Sequence, residues 1–153
     1  MATVKAYTDL EQSKKLTKIL PLESADMYYD GYGRLPQGYA YTLIFPNSFE
    51  YDKPAWSLSA LLKILPKSIR LTQDMRNCYD NPIYKGEKYK FELKRCGFLS
   101  DEWYIQYCGG QERQYGKRYY HNAPVELHVT KKYDNPVDAC VEMIEKLNEL
   151  KML

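Results

Sequence analysis

Residues 88–94 alternate strictly: Tyr89, Phe91 and Leu93 are apolar, while Lys88, Lys90, Glu92 and Lys94 are charged. Successive side chains of a strand point to opposite faces, so this pattern describes a strand with one face buried and the other in water. A helix would scatter the same charges around its whole circumference. A parallel sheet, buried on both faces, would not tolerate them either, so the chain must build an antiparallel or mixed sheet covered on one side only. Two more segments share the period. Trp103, Ile105 and Tyr107 alternate with Tyr104 and Gln106, and Val125, Leu127 and Val129 alternate with Glu126 and His128. Weaker strand signals lie at 27–32, 39–45 and 69–72.

Three other segments have helical spacing and can supply the cover. The first runs over about 9–20, capped by Thr8 or Asp9, with Leu10, Leu16, Ile19 and Leu20 on one side. The second starts near Pro54 or Ser57, spaces Leu58, Leu61, Leu62 and Leu65 at i, i+3, i+4 and i+7, and stops at Pro66. The third starts at Asn135-Pro136, a capping residue followed by a proline preset for the first turn, and buries Val137, Cys140, Val141, Ile144 and Leu147. Together they predict a single α+β domain over residues 1–153, with three helices packed on one face of a mainly antiparallel sheet. Sixteen tyrosines among 153 residues make up for a modest aliphatic content, so rings with polar tips should frame the core. Leu16-Thr17-Lys18-Ile19-Leu20-Pro21 is echoed by Leu61-Leu62-Lys63-Ile64-Leu65-Pro66, and Tyr51-Asp52-Lys53-Pro54 by Tyr133-Asp134-Asn135-Pro136. Either a helix-plus-hairpin unit is duplicated, over about 9–45 and 55–95, or capping chemistry has converged.

No apolar stretch long enough for a leader or a membrane span is present, and the longest uncharged run contains Pro36, Gln37, Pro46 and Asn47. The four cysteines, Cys78, Cys96, Cys108 and Cys140, include no close pair. Free, reduced thiols in a cytoplasmic setting are the expectation, with no metal and no cofactor. The phrases Ala6-Tyr7-Thr8-Asp9-Leu10-Glu11-Gln12-Ser13-Lys14-Lys15, Leu20-Pro21-Leu22-Glu23-Ser24-Ala25-Asp26-Met27, Pro54-Ala55-Trp56-Ser57-Leu58 and Tyr133-Asp134-Asn135-Pro136-Val137-Asp138-Ala139-Cys140 resemble those of small uncharacterised proteins of gut anaerobic bacteria and their phages. The resemblance implies a bacterial or phage accessory protein and carries no catalytic residues.

Catalytic signatures are sparse. His121, read as part of a turn over 119–124, and His128, on the polar side of its strand, are the two histidines and the only acid–base candidates. Neither phosphate-binding glycine motif occurs, and Gly109-Gly110 reads as a turn joining two strands. Charge is distributed unevenly instead: residues 76–132 carry 11 basic and 7 acidic side chains, and residues 133–153 carry 2 and 5. Within the basic stretch Lys88, Lys90, Lys94, Arg113, Lys117 and Arg118 are interleaved with tyrosines that include Tyr89, Tyr104, Tyr107 and Tyr115. Tyr and Arg are enriched at protein contacts, which suits an unidentified protein partner or a homodimer. Cations with stacking rings also suit single-stranded nucleic acid. The expected site is therefore Lys88, Lys90, Lys94, Tyr104, Arg113, Tyr115, Lys117 and Arg118. A non-catalytic protein-binding role leads, nucleic-acid binding is the alternative, and an enzyme using His121 or His128 comes third.

Overall fold

The computed structural model describes residues 5–29, 37–38, 53–76, 82–83, 85–96, 101–109, 112–115, 118–121 and 125–153. Helix α1, Leu10–Leu16, opens with a capping box: the Asp9 carboxylate accepts the Gln12 N–H at 2.8 Å, and the Gln12 side chain accepts the Asp9 N–H at 3.1 Å. It ends four residues earlier than its apolar spacing predicts. The Thr17 hydroxyl donates back to the Ser13 carbonyl, and Lys18 and Ile19 bond three residues back, tightening the last turn before Pro21. A 3₁₀ turn, Leu22–Ser24, leads to a small antiparallel sheet of β1 (Met27–Tyr29), β2 (Gln37–Gly38) and β3 (Lys53–Ala55), in the order β2-β1-β3. The strand signal at 39–45 lies outside the described residues.

Pro54 is therefore not a helix start. It pairs with Tyr28 in β3, an outer strand of its sheet, where a missing N–H is tolerated. The cap of α2, Leu58–Ile64, is Ser57, whose hydroxyl oxygen accepts the Ala60 N–H at 3.2 Å. Asp26 holds that cap by accepting from the Ser57 N–H, at 2.8 Å, and from its hydroxyl. The two Leu-Pro phrases also differ in phase: Leu16 closes α1 and the rest of its phrase is turn, whereas Leu61 to Ile64 are helical.

The main sheet is antiparallel, in the order β11-β8-β7-β4, from β4 (Ser68–Arg70), β7 (Lys88–Arg95), β8 (Trp103–Gly109) and β11 (Val125–Leu127). Two short strands, β5 (Met75–Arg76) and β6 (Pro82–Ile83), pair separately. So do β9 (Glu112–Tyr115) and β10 (Arg118–His121), which lie between β8 and β11 in sequence. His121 thus ends a strand and pairs with Glu112. Gly109 is not a turn residue either: it pairs with Val125 inside β8, and Tyr89 fills the space a Cβ would take.

A bulge sits at His128, whose φ is +53°. Leu127 pairs with Tyr107, yet Thr130 already donates its N–H to the Ile105 carbonyl at 2.9 Å, so three steps on one side match two on the other. The alternation slips by one here. Val129, expected inside, is exposed, and Thr130 is buried in its place, accepting the Ile105 N–H on its hydroxyl at 2.9 Å.

Helix α3, Pro136–Glu149, follows Asn135 as predicted and lies against β8, with α1 and α2 packed on it. Leu16, Leu61, Leu65, Ile69, Tyr89, Ile105, Tyr107, Cys140, Val141, Met143 and Ile144 share one core on this covered face, with Ile19 packed at its margin. The architecture is α+β. No helix among the described residues is long and apolar enough to cross a membrane.

A single ammonium ties the starts of α1 and α3. Lys5 Nζ donates to Asp9 Oδ2 (3.0 Å), Gln12 Oε1 (2.8 Å) and Asp138 Oδ1 (2.6 Å), and Gln12 Nε2 also donates to Asp138 Oδ1. Burial alone would raise the Asp138 carboxyl. Hydrogen bonds from Lys5, Asn135 and Gln12 outweigh it and hold the group below its usual value.

Candidate functional site on the outward sheet face

Even-numbered residues of β7 face away from the helices. Lys88, Lys90 and Lys94 are exposed there, as their alternation predicts, and Glu92 is half-buried. Strand register adds neighbours from three other strands. Ser68, Lys90, Cys108 and Glu126 form one row across the sheet, Glu92 faces Gln106, Lys94 faces Tyr104, and Arg70 faces Lys88. Like charges directly opposite repel. Arg70 turns aside to donate to the Gly86 carbonyl at 3.2 Å.

The centre of the face is Glu92 and Gln106. Gln106 Nε2 donates to Glu92 Oε2 at 2.9 Å, and Lys94 Nζ lies 3.3 Å from the same oxygen. The Gln106 hydrogen bond, against the cost of burial and with help from Lys94, holds the Glu92 carboxyl below its usual value. Lys94 shifts upward in turn, through its hydrogen bond and attraction to Glu92. Gln106 was expected to be wet. It is instead fully buried, and its Oε1 has no hydrogen-bond partner among the described residues. Burial pushes the neighbouring Cys108 thiol up, and the charges of Glu92 and Glu126 add to this over the opposing effect of Lys94. A thiol held protonated at neutral pH is a poor nucleophile.

The rings of these strands are mostly elsewhere. Tyr89 and Tyr107 occupy odd positions and are 1% and 0% exposed. The Tyr89 hydroxyl donates to Glu87 Oε2 at 2.7 Å, the Tyr107 hydroxyl donates to the Pro66 carbonyl at 2.8 Å, and Phe91 meets Tyr107 edge-on at 5.8 Å. Tyr104 alone of the β7 and β8 tyrosines stays on the outward face.

The structure thus gathers Lys88, Lys90, Lys94 and Tyr104, and adds Arg70, Gln106, Cys108 and Glu126. Period two marks the strand that carries Glu126 and, more weakly, the one that carries Arg70, but nothing local to either segment announces the pairing that brings them alongside β8 and β7. Arg113, Tyr115 and Arg118 belong to the β9–β10 ladder, where Arg118 pairs with Tyr115 and Arg113 with Tyr120. Lys117 lies outside the described residues. The histidines sit on separate elements, and His128 is half-buried at its bulge. Burial, then the charge of Lys146, hold its imidazole below the usual 6.5, so it is neutral at pH 7. Among the described residues no three His, Cys, Asp or Glu side chains gather as metal ligands would. Cys96, Cys108 and Cys140 are free thiols, and Cys78 lies outside the described residues.

Compared with known proteins, the chain matches no family model, no curated protein and no solved structure.

Proposed function

We propose that the protein acts by non-catalytic binding to a partner protein through the outward face of the main sheet, as a cytoplasmic accessory factor of a bacterium or phage. One observation carries this reading: among the described residues the face presents charge without a stacking platform. Arg70, Lys88, Lys90 and Lys94 outnumber Glu92 and Glu126, while Tyr89 and Tyr107 are locked in the core. Binding of single-stranded nucleic acid draws on successive rings, each contributing about 1–3 kcal/mol per base. A mixed-sign face around the half-buried Tyr104 suits a protein surface of matching polarity, where charge sets orientation and association rate.

The test places a photo-crosslinking residue at position 90 of the full chain in a bacterial host, with nuclease treatment before recovery. A discrete protein adduct, lost when Lys88→Glu and Arg70→Glu are added, is the expected result. Binding of a mixed-sequence oligonucleotide at physiological salt with about micromolar affinity, lost in Lys88→Glu/Lys90→Glu and weakening steeply with salt, would replace this reading with the nucleic-acid one.

A further inference from the structure

Helix α2 buries Ala60, Leu61 and Leu65 on its core side. The outer edge of the same apolar stripe borders a groove of about 510 Å³. Leu58 and Leu62, one turn apart and both half-buried, form its floor with the edge of Leu65, and the exposed Lys63 and Lys67 stand at its rim. Among the described residues no carboxylate lines it and neither lysine has a carboxylate partner. Three of the acidic side chains of α3 are engaged elsewhere: Asp138 with Lys5, Glu142 with Tyr133, and Glu145 with Lys15. The Lys67 carbonyl accepts the Phe91 N–H at 3.0 Å, so the groove runs up to the edge strand β4.

We propose that this groove docks an amphipathic helix of a partner protein, with leucine-like side chains on one face and Asp or Glu on its flanks. The proposal extends the protein-binding reading to a second surface. The volume falls within the range of ligand clefts, about 300–1,000 Å³, but such clefts enclose most of a small ligand, and this one is open along its length. A small apolar molecule would stay half in water, whereas an amphipathic helix needs to hide only one face. Seven residues at about 1.5 Å each make α2 roughly 10 Å long, enough to meet two turns of a partner, so its anchors would be spaced i and i+4 with a third at i+7. Lys63 and Lys67 set the sign of the flanks. Their long apolar stems can widen the floor while the ammonium groups reach the partner's carboxylates.

The test titrates the full chain with two synthetic helical peptides that share leucines at i, i+4 and i+7, one flanked by glutamates and the other by lysines, read by fluorescence anisotropy and by the methyl NMR signals of Leu58, Leu62 and Leu65. The acidic peptide should bind about tenfold tighter or more at low salt, a gap that closes as salt screens the flanks. Lys63→Glu/Lys67→Glu, which changes only exposed side chains, should invert the preference. Leu62→Asp should abolish binding of both peptides with the circular dichroism spectrum unchanged. Lys88→Glu/Lys90→Glu should leave peptide affinity as it is, which separates failure of the groove from failure of the sheet-face reading. Equal affinities, no binding of either peptide, or methyl shifts confined to sites outside the groove would each overturn the proposal. So would a dimer, or attachment to anionic lipid vesicles, that Leu62→Asp disrupts while the acidic peptide does not bind.

Discussion

Replacing Gly109 by alanine should destabilise the protein, although the local rules for a strand predict the reverse. The Gly109 backbone has no need of glycine's conformational freedom, and an alanine would narrow the unfolded ensemble, stabilising by about 0.4–1 kcal/mol where nothing interferes. Here the added Cβ would lie 2.7 Å from Tyr89 Cδ1 and 2.9 Å from both Tyr89 Cε1 and the Lys88 carbonyl oxygen. Carbon atoms settle at about 3.5–4.0 Å, so the ring contact falls short by roughly 0.8 Å or more. The ring cannot simply swing away, because it is 1% exposed and its hydroxyl is bonded to Glu87. The carbonyl cannot retreat easily either, since β7 is paired on both sides, to β4 and to β8. Overpacking of this kind costs about 1–3 kcal/mol, and loosening the buried Tyr89–Glu87 hydrogen bond adds about 1–3 kcal/mol. A net loss of about 1–5 kcal/mol follows after the unfolded-state gain is subtracted. Urea unfolding followed by tryptophan fluorescence measures it, and the cycle with Tyr89→Leu should return a coupling that relieves part of the loss. A Gly109→Ala protein as stable as the parent, or more so, would show that Tyr89 does not pack over this position.

Two other perturbations read the ionisable groups. Asp138 and Asp9 both titrate below their ordinary 3.8 in the folded protein, so the stability they supply is present above that value and is lost as pH falls from it through the lower folded values; the urea midpoint should drop as acid is added below about pH 5, less steeply in Asp138→Asn. Burial pushes the Cys140 thiol up to about 12, so native alkylation near pH 8 should label Cys108 and Cys96 well before Cys140, as peptide mapping would show; early loss of the Cys140 thiol would mean that α3 detaches from the core.

What was legible in the sequence is what local pattern controls. Alternation at 88–94 placed Lys88, Lys90 and Lys94 on the wet face, and Asn135-Pro136 marked the start of α3, because each depends on neighbours within one turn or one strand. The same reasoning at Pro54 failed, since its outer-strand place in β3 is set by pairing with Tyr28, 26 positions earlier by residue number. Val129 was misplaced by the left-handed His128, a single backbone angle that turns Thr130 inward in its place. Gln106 reads as a polar residue on a polar face, and only the packed structure shows it enclosed. For the candidate site, period two separates Lys88 from Tyr89, but it cannot say that Arg70 arrives opposite Lys88, because register between distant strands leaves no trace in either strand alone.

The Lys5 clamp also sets an order of events during synthesis. Lys5 and Asp138 are 133 positions apart, and at about 5–20 residues per second the second leaves the ribosome roughly 7–27 s after the first. A seven-residue helix does not persist in water by itself, even with its capping box. Segment 5–16 can first be held by Tyr29 and by the backbone of Trp56 to Leu58, which are made early, and its capping box is locked to Asp138 only when α3 arrives.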